Sequence, residues 1–570
     1  MGIEPHALLF FLNHLKQIPF MLKRTTVAVL YCLLSLTAVW AGERSDQEMR
    51  TIALQQLAAN QANTRGAALE SDICELARRA SYSVYGLSQG QGFVVVSRST
   101  AFHPVLATSE TRFDADNLPD GLKWWLDAID ESLMTREAAA PTRAYTAVEN
   151  FIQTQWGQGD PYNSMTPEIG GKHTPTGCVA TAMAQILKYY NYPEKSEGIS
   201  YYNIGDDPTD IRNEFNTTFK WDQILVSYKG SDYGEEARQA VGELMRDCGY
   251  SVKMQYDRGG SGALYTNAAL GFVRNMCFRE GYVHNANRDF YTDAEWMEIV
   301  EREMTAHRPI LYGGNNGKDM GHAFVFSGLD EDGKVYVNWG WEGSGDGYYD
   351  IANLAPTGTG VTSSYDFSKN QHMVYGLTPE PDLAVFRPKY SEWAFMEGNY
   401  TLTPSTVAGR VSVGAQSSLY NFYYTTFRGT IDLVVISKET GKNDTFTIYE
   451  TEGVQPYYGL NFSLIPTNKR LVNLKNLPAG IYLAYLGSKA HSDVEYQPLR
   501  STEGTIAYEI TISEDGSISV SDPMRLIVTD IRSPKVVART ADAFYDLQGR
   551  RVSDPQRHGI YILNGKKVIR

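Results

Sequence analysis

The feature that most constrains this chain is a single cysteine at the start of a helix with one apolar face. The stretch His173–Pro193 opens with a loop that contains proline and glycine, and this loop leads directly to Cys178. Apolar residues follow at spacings of three and four, which predicts a helix buried along one side: Val179, Met183, Ile186, Leu187 and Tyr190. We predict Thr176 as the N-cap and Asn191–Pro193 as the end of the helix.

The position of Cys178 in the first turn predicts a reactive thiol. The positive end of a helix dipole favours the thiolate over the thiol, and the thiolate is the nucleophile. The helix alone leaves a second interpretation open, in which Cys178 is a small apolar residue that packs in the core.

Length and charge bound the function. A chain of 570 residues predicts about two to four domains. The net charge of −14 and the lack of a block rich in lysine and arginine argue against a nucleic-acid partner.

The N-terminal region predicts export. A basic segment, Met21–Arg24, precedes the apolar run Val27–Trp40, and Val39 and Ala41 suit the −3 and −1 positions of a cleavage site. We therefore predict a signal peptide region over 1–42, with Met21 as the probable start. The apolar run is short for a bilayer span, and no later run is long enough, so no transmembrane segment is expected.

Cysteine usage predicts neither a disulfide framework nor a metal site. Of the five cysteines, Cys32 leaves with the signal peptide, and the others show no CxxC pair or ordered spacing. We expect Cys178 to stay free, leave a Cys248–Cys277 bridge open, and expect no cofactor.

The fold class expected is α+β, with four regions after residue 42. Residues 43–146 combine predicted helices over Glu48–Gln61 and Leu122–Met134 with a hairpin, and end in an exposed linker, Thr135–Arg143. Residues 147–379 place helices before an antiparallel sheet. Short strands with turn residues between them predict a β-sandwich over 380–530 and a small β element over 531–570.

Two polar residues at strand ends are the candidates for activating the thiol. A cysteine nucleophile needs a base and a group that orients the base. His322 opens a predicted apolar strand, and Asn338 ends the next strand across a hairpin. His322 follows Cys178 by 144 residues, within the roughly 130–150 of papain-like proteases.

The remaining site candidates are less strongly marked. Gln158 lies between glycines and could supply the side-chain donor of an oxyanion hole beside the Cys178 N–H. Trp339, Trp341 and Gly321 are the predicted substrate-binding residues. His173 is a rival base, but no orienting group lies near it in the sequence.

These motifs together resemble the streptopain family of secreted bacterial cysteine proteases. The resemblance rests on Pro161-Tyr-Asn163 after Gln158, on Thr176-Gly-Cys-Val-Ala-Thr181, on Gly321-His-Ala-Phe-Val325 and on Val337-Asn-Trp-Gly-Trp341. It covers residues ~45 to ~379. It implies a papain-like catalytic domain, an inhibitory propeptide over 43–146, a Cys178–His322 dyad, Asn338 as orienter and Gln158 as oxyanion donor. Gln158 precedes Cys178 by 20 residues, so its assignment depends on the family rather than on spacing.

The C-terminal tail is similar to sorting domains of the type IX secretion route. The similarity lies in Tyr545-Asp-Leu-Gln-Gly-Arg-Arg-Val552 and Gly559-Ile-Tyr-Ile-Leu563. The alternative is a structural cap. The expected partners are therefore protein substrates, the chain's own propeptide and secretion machinery, and the expected location is outside the cell or on its surface.

The function predicted is that of a latent cysteine endopeptidase that works through a thioester acyl-enzyme. Two alternatives stay open. One is a transglutaminase, although Asn338 replaces the acidic third member of its site. The other is a surface adhesin with a vestigial protease domain, although the intact Cys178, His322 and Asn338 weigh against it.

Overall fold

The structure is a computed structural model. It describes residues 42–61, 73–88, 90–135, 144–204, 210–314, 321–354, 371–379, 391–415, 417–491, 493, 495–526 and four short strands after residue 543. The predicted signal peptide and residues 136–143 of the predicted linker lie outside these ranges. Among the helices of the described ranges, none has the length and apolar character required to span a bilayer.

The N-terminal region is a small α+β unit. Its elements are α1 (Asp46–Gln61), β1 (Ile73–Arg78), β2 (Tyr82–Leu87), β3 (Phe93–Ser97), β4 (Val105–Ser109) and α2 (Asp120–Thr135). Both predicted helices are present, and α2 buries its apolar side, including Trp125 and Ile129. The amphipathic spacing read from the sequence therefore identified the surface that this helix packs against the rest of the chain.

The following region places helices before most of its strands, as predicted. It contains β5 (Glu168–Ile169), β6 (Lys172–His173), α3 (Cys178–Tyr190), β7 (Ile199–Asn203), β8 (Asp210–Glu214), α4 (Glu235–Ser251), α5 (Tyr265–Arg274), β9 (His284–Asn287), a 3-10 turn (Arg288–Phe290), α6 (Asp293–Thr305), β10 (Ile310–Gly314), β11 (His322–Leu329), β12 (Val335–Asn338), β13 (Gly347–Tyr349) and β14 (His372–Tyr375).

The prediction of Thr176 as the N-cap of α3 is wrong. The cap is Gly177, whose φ of 86° is a conformation that residues with a side chain rarely adopt. A Cβ at Gly177 would also lie 2.5 Å from the Met254 side chain and 2.9 Å from the Ser261 carbonyl oxygen. The Thr176 hydroxyl instead lies 2.8 Å from the Thr181 hydroxyl, one turn into the helix.

A single antiparallel sheet joins the N-terminal region to the region that carries Cys178. Its ten strands run in the order β1-β2-β3-β4-β13-β12-β11-β10-β14-β9. The junction is the β4–β13 pair, in which Ser109 opposes Gly347 and Ala107 opposes Tyr349. Residues more than 230 positions apart in the sequence thus share backbone hydrogen bonds, and the sequence did not predict this pairing.

The two faces of the sheet pack against different helices. Phe324 and Phe326 of β11 belong to a buried cluster that includes Trp124 and Trp125 of α2. Ala323 and Val325, which alternate with them, belong to the cluster of α3, α4 and α5. Because side chains alternate along a strand, β11 lies between the N-terminal region and the cysteine helix and contacts both.

The C-terminal region is rich in sheet. Its elements are β15 (Trp393–Phe395), β16 (Tyr400–Pro404), β17 (Arg410–Ala415), β18 (Ser418–Asn421), β19 (Phe427–Ser437), β20 (Asn443–Val454), β21 (Gly459–Asn461), a 3-10 turn (Phe462–Leu464), α7 (Thr467–Arg470), β22 (Leu471–Asn473), β23 (Gly480–Ala490), β24 (Gln497–Pro498), β25 (Arg500–Ser501), β26 (Ile506–Ile512), β27 (Ile518–Val520) and β28 (Met524–Arg525). Its three sheets contribute to one buried cluster, as expected for packed sheets.

Four short strands form a separate sheet in the tail: β29 (Phe544–Tyr545), β30 (Arg551–Val552), β31 (Ile560–Leu563) and β32 (Lys566–Ile569). They agree with the small β element expected there. The domain boundaries at residues 146, 379 and 530 stay predictions.

Candidate active site

The Cys178 thiol lies against the start of β11. Its Sγ is 3.9 Å from the carbonyl oxygen of Gly321, the residue before His322. The N–H of Ala323, the residue after His322, is also directed to Sγ. His322 therefore stands between two residues whose backbones contact the nucleophile. The structure thus places the Cys178 thiol beside the backbone that flanks His322, 144 residues later in the sequence, and the dyad itself stays a prediction.

The surroundings of the partly buried Cys178 thiol favour its neutral form. Removal from solvent raises the pKa of Cys178, and the backbone N–H groups of Ala323, Val179 and Cys178 itself oppose this effect only in part. The Asp120 carboxylate, at the start of α2, raises the pKa further. The position at the helix N-terminus favours the thiolate, but desolvation is the largest of the effects on the pKa of Cys178.

Asn338 is held by a closed set of hydrogen bonds. Its Oδ1 accepts from Gln185 Nε2 and from the Gly340 N–H, both at 3.0 Å. Its Nδ2 donates to the Thr154 carbonyl oxygen at 2.6 Å. The backbone groups at Gly340 and Thr154 fix which way the amide points, and both acceptor positions of Oδ1 are occupied. Asn338 as the orienter of His322 stays a prediction.

Gln185 and Thr154 are functional candidates that the sequence analysis missed. Gln185 is fully buried on α3, and its Oε1 accepts a hydrogen bond from Thr154 Oγ1 at 2.9 Å. It therefore connects the nucleophile helix to Asn338 at the end of β12 and to the segment that leads to Gln158. The signal available in the sequence was a long polar residue inside the apolar pattern of α3.

The Gln158 backbone lies beside the loop that delivers Cys178. Its carbonyl oxygen accepts the Thr176 N–H at 3.1 Å, two residues before the nucleophile. This position is compatible with an oxyanion role, which stays a prediction for the Gln158 side chain.

Of the predicted substrate-binding residues, Trp339 lies against α2. Trp339 is 3% exposed, and its ring packs on Phe324 with 4.7 Å between ring centroids. A Cβ at Gly121 of α2 would come within 2.6 Å of the Trp339 ring, so helix and ring are in close contact. Trp341 packs against the same cluster. Substrate binding by Trp339, Trp341 and Gly321 stays a prediction, since α2 covers this surface here.

A buried carboxyl group fixes the backbone of Trp339. Asp346 Oδ1 accepts the Trp339 N–H at 2.9 Å, and the Asp346 carbonyl accepts from Ser109 Oγ of β4 at 2.7 Å. Burial raises the pKa of Asp346 to about 7, although the Trp339 N–H acts in the opposite direction. Because the pKa of Asp346 is higher in the folded state, protonation of this carboxyl group favours folding. The stabilisation is complete at a pH below the ordinary carboxyl pKa and is lost as the pH rises through about 7.

His173, the rival base, is tied to its own hairpin. Its Nδ1 is 2.7 Å from the Thr166 carbonyl oxygen and its Nε2 is 3.5 Å from Glu168 of β5. These contacts hold the His173 ring within the β5–β6 hairpin, which gives the residue a structural role.

The four cysteines in the described ranges, Cys74, Cys178, Cys248 and Cys277, are free thiols. The Cys248–Cys277 bridge, which the sequence left open, is therefore not formed. In the same ranges, no group of three or more His, Cys, Asp or Glu side chains is arranged to hold a metal ion.

A cysteine at a helix N-terminus, facing the strand that carries a histidine, defines the papain-like class of cysteine hydrolases. The Peptidase C10 family model matches residues 156–349, and the Spi protease inhibitor model matches residues 44–133. Streptopain of Streptococcus pyogenes is 31% identical over 370 residues, which span 59% of this chain and 92% of streptopain. The chain therefore belongs to the peptidase C10 family.

Two further proteins are similar to this chain. The thiol protease/hemagglutinin PrtT of Porphyromonas gingivalis is 28% identical over 444 residues, which cover 68% of this chain and 50% of PrtT. A fragment of prointerpain A of Prevotella intermedia is 35% identical over 54% of this chain and 99% of that fragment, with a TM-score of 0.48.

The chain is thus a cysteine endopeptidase that carries an inhibitor-type propeptide, as predicted. The region we expected to be inhibitory, 43–146, contains the whole match to the inhibitor model. The transglutaminase and adhesin alternatives are not favoured.

A first prediction concerns Gln185 as a positioning residue. Gln185→Met keeps the length of the side chain and removes both hydrogen bonds, which leaves Asn338 and the Thr154 hydroxyl short of partners. We expect kcat of the processed enzyme to fall by about tenfold or more, because small displacements of reacting groups are costly. KM should change little. Steady-state kinetics on a peptide substrate measure both.

Thr154 provides the matched controls. Thr154→Ser keeps the hydroxyl that Gln185 accepts from and should retain near-normal kcat, whereas Thr154→Val removes it and should resemble Gln185→Met. Undiminished kcat in Gln185→Met would show that the hydrogen bonds contribute to stability alone.

A second prediction concerns the thiol pKa. Since burial raises the pKa of Cys178, the thiolate fraction at neutral pH should be small in the full-length protein and larger once the propeptide is gone. We expect the midpoint of the pH profile for iodoacetamide alkylation to move to lower pH on processing. Mass spectrometry of the peptide that contains Cys178 separates this thiol from Cys74 and Cys277.

Asp120→Asn is the internal comparison for this measurement. It removes only the Asp120 carboxylate at the start of α2, so it should lower the midpoint in the unprocessed protein by less than full processing does. Identical midpoints before and after processing would contradict the role given to burial.

Proposed function

We propose that the reaction is peptide-bond hydrolysis by acyl transfer to Cys178. The thiolate attacks the carbonyl carbon of the scissile bond, and the oxyanion is stabilised by the Cys178 N–H and the Gln158 side-chain amide. The protonated His322 then gives its proton to the leaving amine as the C–N bond breaks. Water, deprotonated by His322, attacks the resulting thioester and releases the acid and the thiol.

The observation that carries this proposal is the contact between the thiol and the strand segment around His322. The Gly321 carbonyl oxygen at 3.9 Å and the Ala323 N–H flank the nucleophile, with the base between them in the sequence. The proposal is further supported by the placement of the nucleophile and the base on separate rigid elements, an α-helix and a central strand.

We further infer that the propeptide maintains latency by covering the dyad. Trp124 of α2 lies against Gly314, since a Cβ there would be 2.1 Å from its ring, and Gly314 is the register partner of His322. The same helix covers Trp339 and raises the pKa of Cys178 through Asp120. Cleavage within residues 135–143 would release this unit.

The test of the dyad uses two substitutions in the full chain. Cys178→Ala and His322→Ala should each abolish measurable hydrolysis of a protein substrate, because one removes the nucleophile and the other its base. Thermal unfolding should show that both proteins remain folded. Cys74→Ala is the matched control, since it removes a free thiol of the propeptide sheet and should leave the processed enzyme fully active. Substantial hydrolysis by Cys178→Ala would overturn the proposal.

We also propose that the enzyme acts outside the cell. The support is the basic and apolar pattern of residues 21–41 and the likeness of the tail to type IX sorting domains. The exported protein should begin near residue 42, and deletion of 531–570 should retain it inside the cell. Mass spectrometry of culture supernatant and cell fractions measures both, and normal export of the truncated chain would remove the sorting role of the tail.

A further inference from the structure

The region after residue 390 packs against the catalytic region through a buried surface. Neither family model extends past residue 349, so neither gives this region a role. Its counterpart on the catalytic side is the segment 281–291, which contains β9, the last strand at that end of the ten-stranded sheet. We call this surface the docking face.

Charged groups from both sides meet in the docking face away from solvent. His284 Nδ1 lies 3.0 Å from Glu392 Oε1, and the two side chains are only 6% and 5% exposed. Arg500, 5% exposed, donates from Nη1 to the Phe290 carbonyl oxygen at 2.9 Å. Its guanidinium lies 3.6 Å from the centroid of the Tyr291 ring.

Aromatic side chains fill the space around these charges. Phe290 packs on Phe422 with 4.8 Å between ring centroids, and both belong to one buried cluster with Ala394. Tyr424 inserts into the core cluster that also contains α3, and its hydroxyl accepts the Gly281 N–H at 3.4 Å. The C-terminal region thus contributes directly to the core of the catalytic region.

The buried charged groups distinguish this contact from a contact between mobile domains. Interfaces between mobile domains are usually more polar than a protein core, whereas here an arginine, a histidine and a glutamate are buried, with His284 against Glu392 and Arg500 on the Phe290 carbonyl oxygen across the boundary. Separation would expose the apolar surface of Phe290 and Tyr424 to water and would break the contacts of His284 with Glu392 and of Arg500 with Phe290.

We propose that the C-terminal β-region, residues 391–526, is a permanent structural partner of the catalytic region and stays docked after the propeptide leaves. The sheet has two ends. The propeptide extends it at β13, and the β-region covers the segment around β9, from which β14 and β10 lead to the strand of His322. The β-region keeps the β9 end of the sheet ordered after the propeptide strands leave β13.

The first test measures local opening in the full-length chain carrying Cys178→Ala, so that thiol chemistry plays no part. Arg500→Leu removes the bond to Phe290 and the contact with Tyr291. We expect hydrogen exchange in 281–291 to accelerate by about tenfold or more and Tm to fall by several degrees. Exchange in β4 should not change.

Lys442→Ala is the matched control. It removes an exposed cation of the same region, which pairs with Asp444 at 3.0 Å and is 72% exposed, and it should leave both readouts at parent values. The proposal would be overturned if Arg500→Leu had the same hydrogen exchange in 281–291 and the same Tm as Lys442→Ala.

The second test needs no substitution in the docking face. A recognition site for a sequence-specific protease is inserted between residues 380 and 390 of the same full-length protein, and the chain is cut in the folded state. We expect the two parts to elute together in size-exclusion chromatography and to separate only in denaturant. Separate elution under native conditions would overturn the proposal. This test does not depend on whether Arg500→Leu folds.

Discussion

The arrangement of the active site depends on the contact between the cysteine helix and the strands of the sheet. The helix supplies Cys178 at its first residue and Gln185 two turns later. Gln185 reaches Asn338 and Thr154, so one buried polar network connects the helix, the end of β12 and the segment before Gln158. Each polar group in a buried network of this kind must be satisfied, which fixes the relative positions of the elements that carry them.

Latency follows from the same sheet. The propeptide does not sit on a finished enzyme as a separate body, because β4 extends the catalytic sheet through β13. The helix α2 then crosses the face that carries Phe324 and Trp339. Strand pairing sets the position of the propeptide, helix packing covers the site, and the exclusion of water raises the pKa of Cys178.

Much of the fold could be predicted from local signals, including the position of Cys178, His322 and Asn338 within their helix and strands. The helix over Cys178–Tyr190 and the strands that open at His322 and end at Asn338 have the predicted limits, because their apolar periodicity matches their secondary structure. The N-cap was predicted wrongly, since Thr176 is a common capping residue but the close approach of Met254 and Ser261 requires glycine next to the cysteine. Gln185 was missed because nothing near it in the sequence indicates a polar partner 153 residues away.

The sequence by itself determined the chemistry: a thiol at the start of a helix, a histidine and an asparagine at strand ends, and an N-terminal unit that resembles an inhibitory propeptide. These depend on residue type and on spacing within single elements. Only the tertiary structure decided that the propeptide completes the catalytic sheet, that Asn338 is held by Gln185, and that the C-terminal region is buried against β9. Those contacts join residues far apart in the chain, and their energies come from burial and desolvation, which no local pattern records.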